Sequence, residues 1–111
     1  MTVTRILLNY SHPLTERARA ALQEMTGSSV TERLIACQLD MEQPLLPQLD
    51  ALVTQAGQFD LLIPPSLSYA AAYVTARLSM AQSDAWPPVP PRMVILRREG
   101  PLGGYMPSEI V

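Results

Sequence analysis

The chain has 111 residues, 48% of them hydrophobic, and a formal net charge of −2. That is enough for a single domain, 1–111, with one core, and it excludes the broad basic field that draws duplex nucleic acid. All 8 basic residues are arginine, so no lysine is available as phosphate clamp, Schiff base or general base, and the 1 cysteine excludes an intramolecular disulfide.

"TRILLNY" (4–10) is a nearly continuous apolar run, as in a strand covered on both faces. Pro13 then starts a helix, with Ser11 or His12 as its cap, apolar positions at Leu14, Ala18, Ala21, Leu22 and Met25, and Gly27 as its stop. "TERLIACQL" (31–39) reads as a second strand, within which Cys37 reads as a small buried hydrophobe. "DMEQPLLPQLDALVTQAG" (40–57) reads as a polar loop and a helix with the inner stripe Leu45, Leu49, Leu52, Val53 and Ala56, closed by Gly57. "FDLLIPP" (59–65) is a third strand, and "SLSYAAAYVTARLSMAQ" (66–82) a third helix with Ser66 as N-cap. "SDAWPPVPP" (83–91) is a semi-rigid loop, because its prolines lack donors. "RMVILRR" (92–98) is a fourth strand, "EGPLGG" a turn, and "YMPSEIV" (105–111) an edge strand interrupted by Pro107.

The order β-α-β-α-β-α-β-β predicts an α/β fold: a minimal Rossmann-like domain, with a mostly parallel sheet, helices on both faces and a C-terminal antiparallel hairpin. No G-x-G-x-x-G follows the first strand, so no NAD or FAD cofactor is expected, and no cluster of metal ligands is visible. The opening residues lack a signal-peptide pattern, and no run approaches the ~20 apolar residues that span a bilayer. The expected location is the cytoplasm, without membrane contact.

Open parallel sheets bind ligands outside the carboxyl ends of their strands. Those ends nominate Asn9, Tyr10, Ser11, His12 and Thr15, then Gln38, then Pro64, Pro65 and Ser66, and finally Arg97 and Arg98. Hydroxyl, amide, imidazole and guanidinium groups dominate the set, which suits a neutral or anionic ligand. Two of these segments lead into helix N-termini, whose N–H groups suit phosphate.

"ILLNYSHPLT", "LLIPPSLSYAAA" and "PPRMVILRREGPLGGYMPSEIV" together resemble a small CRISPR-associated family encoded beside type III systems. "NYSHPLT" is the most specific of these segments. The resemblance implies a CRISPR-associated Rossmann-fold (CARF-like) domain, related to ring nucleases. The implied ligand is a cyclic oligoadenylate, the four-nucleotide ring foremost, whose removal by cleavage or sequestration would dampen antiviral signalling. It also implies that Asn9, Ser11 and His12 touch ribose, phosphate or adenine. A four-membered ring contains a two-fold axis, so a homodimer would cradle it better than one chain.

Cleavage without metal would use the RNA's own 2′-hydroxyl in line with the adjacent phosphorus. His12 is the candidate acid or base, with Ser11 and an arginine stabilising charge. The same cradle, holding the ring away from that geometry, would only sequester it. A third expectation is a protein-interaction or structural Rossmann-like module without nucleotide turnover, with Trp86 and the proline-rich loop as its contact surface.

Overall fold

Strand β1 (Thr4–Asn9) lies at the centre of the molecule and is apolar because both its faces are covered. Leu7 and Leu8 are both fully buried, on opposite sides of the sheet. β1 pairs in parallel with β2 (Ser29–Leu34) along its whole length and with β3 (Leu61–Ile63) over its last three residues, giving the order β2-β1-β3. At one parallel bridge, Leu62 opposite Met93, the sheet meets an antiparallel hairpin of β4 (Val94–Arg98) and β5 (Tyr105–Ile110). Helix α1 (Glu16–Thr26) covers one face, and α2 (Leu45–Thr54) and α3 (Ser68–Gln82) cover the other. This is the expected minimal Rossmann-like architecture. The computed structural model describes residues 3–82, 87, 90–101 and 104–111; Trp86 and most of the proline-rich loop lie outside the described residues.

The period of two along the strands divides the core. Leu7, Leu61, Ile63 and Val94 face α1 and pack with its Leu22. Leu8, Tyr10 and Leu62 face the other helices and pack with Leu49, Leu52, Ala70, Val74 and Leu78. Each fully buried leucine contributes about 1.5–3 kcal/mol.

Several boundaries depart from the sequence reading: α2 stops at Thr54 with Gln55 as its C-cap, short of Gly57, and β4 begins at Val94 rather than Arg92. Pro13 does not open α1: the helix begins at Glu16, and Thr15 caps it by accepting from Ala18 N at 3.1 Å. Ser11 and His12 therefore belong to the loop and are not caps. Gly27 ends α1 as expected, with φ +64° and its N–H donating to Gln23 O. β2 runs over 29–34 and not 31–39, because its partner β1 ends at Asn9, opposite Leu34. Beyond it, Ile35, Cys37 and Leu39 still face the core. β3 shrinks to three residues for the same reason. Ser66 is not the cap of α3, since the first helical bond runs from Ala71 N to Leu67 O.

Candidate functional site

Helices α1 and α3 leave the adjacent strands β1 and β3 on opposite faces of the sheet. The carboxyl ends of these strands are thus the point where strand order reverses, and a crevice opens there. A cleft of about 530 Å³ occupies it, lined by Ser11, His12, Pro13, Leu14, Thr15, Ser66, Leu96, Gly104 and Tyr105. Four of the nominated residues, Ser11, His12, Thr15 and Ser66, meet in this cleft. A second hollow, of about 560 Å³, lies at the opposite edge beside Gln58, Asp60 and Gln82. Its polar groups serve the fold: Asp60 accepts from Ile6 N at 2.7 Å, and Gln82 donates to Gly57 O at 2.9 Å.

Asn9 builds the loop and does not face the cleft. It is fully buried, and its Oδ1 accepts from Ser11 N at 2.8 Å in an Asx turn. Its Nδ2 donates to His12 O at 2.9 Å and to Glu32 Oε2 at 2.7 Å. The same Glu32 oxygen accepts from Leu14 N at 2.9 Å, and Oε1 accepts from Arg19 at 3.3 Å. Glu32 thus pins both ends of the segment that carries Ser11 and His12, with its own side chain only 5% exposed. The sequence reading missed Glu32, since it sits mid-strand 18 residues from Leu14. Its signal was the one carboxylate in the strand, between Val30 and Leu34.

These contacts change the expected chemistry of the loop. Ser11 N, Leu14 N and Ala18 N are held by Asn9, Glu32 and Thr15, Tyr10 N donates to Ile63 O, and Pro13 has no N–H. The segment is therefore a poorer phosphate cradle than a bare helix N-terminus.

Tyr10 faces away from the cleft. Its hydroxyl donates to Leu52 O at 2.8 Å, satisfying a carbonyl in the last turn of α2, and burial pushes its pKa up to about 12. Gln38 lies exposed beyond β2, Pro65 is buried and Pro64 half-buried; none of the three lines the cleft. Arg97 and Arg98 are exposed near the hairpin turn, where Arg98 donates to Pro101 O at 3.2 Å. They sit beside the cleft and not in its lining. Tyr105, opposite Arg98 in the strand pair, does line it; the sequence reading passed over it as part of an edge strand.

Burial pushes the Cys37 thiol up, away from the thiolate a nucleophile needs. Among the described residues, no three histidine, cysteine, aspartate or glutamate side chains converge as metal ligands, and no helix is long and apolar enough to cross a membrane. Compared with known protein families, curated proteins and solved structures, the chain finds no match.

Proposed function

We propose that the chain binds a cyclic oligoadenylate, cyclic tetra-adenylate in the first instance, and dampens type III CRISPR signalling by holding the ring out of circulation. The supporting observation is that residues 11–15 of "NYSHPLT", the segment carrying the family resemblance, form one wall of the cleft at the topological switch point. The cleft has the size of a site for one small ligand, less than a four-nucleotide ring requires. Two chains related by a dyad would each hold half the ring.

Sequestration is preferred to turnover because His12 has no side-chain hydrogen bond to a carboxylate or second imidazole among the described residues. A second reading keeps the same ligand: His12 is exposed at the cleft beside Ser11, within a site that a 2′-hydroxyl could enter. Labelled cyclic tetra-adenylate, incubated with the protein with and without a chelator, separates the two. Retention of intact ring is the expected result. Linear product that persists in chelator would replace sequestration by metal-independent cleavage. No binding at all would overturn both.

A further inference from the structure

We propose that the cleft is a nucleoside subsite, with Tyr105 as the surface on which an adenine stacks, and that phosphates lie outside it. This rests on the proposed ligand but makes a separate claim about which part of that ligand enters.

The lining carries the argument. Leu14, Leu96 and Pro13 give the cleft apolar walls, and Ser11, Thr15 and Ser66 supply hydroxyls of the kind that bond ribose or the edge of a base. Among the described residues no arginine lines it. Three of the backbone donors in this segment, Ser11 N, Leu14 N and Ala18 N, are held by Asn9, Glu32 and Thr15, and the Glu32 carboxylate lies directly behind the loop. Apolar walls with a few hydroxyls, one imidazole from His12 and no guanidinium among the described residues suit a flat heterocycle better than a dianion. Tyr105 completes the site. It is 55% exposed although it lines the cleft, so its ring is available to a ligand and not committed to the core. Its place is fixed by pairing with Arg98 across the hairpin, on the same face as Val94 and Leu96, which pack toward α1. An aromatic ring held by a strand pair over a shallow apolar floor is the arrangement that stacks bases. The guanidinium of Arg98, exposed across the hairpin, is then placed to meet a phosphate leaving the cleft.

The test uses the intact protein and four probes: cyclic tetra-adenylate, adenosine, inorganic phosphate and ribose 5-phosphate, titrated by calorimetry and by competition against labelled ring. Adenosine is expected to bind and to displace the ring, whereas inorganic phosphate and ribose 5-phosphate are not. Tyr105→Ala is expected to weaken ring binding about 5- to 150-fold, the range for losing one stacked base, and Tyr105→Phe to keep it. Circular dichroism and the melting temperature check that both variants fold. Inorganic phosphate competing where adenosine does not, or unchanged ring binding in Tyr105→Ala, would overturn the subsite while leaving the proposed function intact. Adenosine binding without ring binding would do the reverse. Binding of neither would remove both.

Discussion

Tyr10 shows how a residue nominated for a ligand can serve the core. Its neutral phenol donates to Leu52 O, and burial holds its folded pKa near 12 against an ordinary 10.0. A folded pKa above the unfolded one gives stability that is complete below pH 10 and lost as pH rises toward 12. Tyr10→Phe should therefore cost about 1–2 kcal/mol in urea unfolding at neutral pH and flatten the loss of stability between pH 10 and 12. Asn9 is similar in kind. Its truncation to alanine orphans Ser11 N, His12 O and one contact of Glu32, so Asn9→Ala should lower stability by about 2–3 kcal/mol. His12 is exposed, so His12→Ala should leave the melting temperature unchanged and weaken ring binding no more than about fivefold, the worth of one neutral hydrogen bond. Any linear product should fall about 10²-fold in the same variant. A cleavage rate that survives in His12→Ala would remove the imidazole from the chemistry.

The elements were legible in the sequence wherever periodicity and punctuation agreed. Of the expected inner stripe, Leu49, Leu52 and Ala56 are buried and Leu45 and Val53 half-buried, and α3 follows its apolar run. Strand lengths were not legible: the apolar stretch 35–39 promised a longer β2, but a ladder ends where its partner turns away. The N-cap of α1 was misplaced because Pro13 is a strong local signal, whereas the bond from Leu14 N to Glu32 spans two elements and leaves no local trace. The cleft's position followed from topology, and Tyr105 did not, because register across a hairpin decides which face an edge residue takes. Two glycines distinguish backbone preference from crowding. Gly27 and Gly57 both have φ near +60°, but a Cβ at Gly27 meets nothing, whereas at Gly57 it lies 3.2 Å from the Arg33 guanidinium. Gly27→Ala should cost about 1–2 kcal/mol in thermal unfolding, and Gly57→Ala clearly more, because Arg33 holds Ala56 O and Gln58 O. Equal losses would show that the guanidinium yields freely.

At the scale of the molecule, the parallel sheet and the hairpin share the bridge Leu62–Met93 and the apolar cluster of Leu7, Leu61, Ile63 and Val94, and α1 meets the hairpin turn through the Arg17–Glu99 ion pair at 3.0 Å. Amide hydrogen exchange should show β5 opening before β1, whose neighbours pair with it on both sides. Light scattering should find two chains per bound ring; a strict monomer with ring bound would reject the shared cradle. One feature of β2 also bears on how the chain reaches this structure. Glu32 and Arg33 are sequence neighbours on opposite faces: Glu32 lies at the amino end of α1, and Arg33 donates to the carbonyls that follow α2. Each charge meets the helix end of opposite polarity. A strand that mispaired by one residue would exchange the faces, bringing the carboxylate against carbonyl oxygens and the guanidinium against amides. Apolar residues would tolerate such an error far better than these two charges. The native register is thus the one that both charges favour, and the double reversal Glu32→Arg with Arg33→Glu should refold more slowly, and with more aggregation, than either residue neutralised alone.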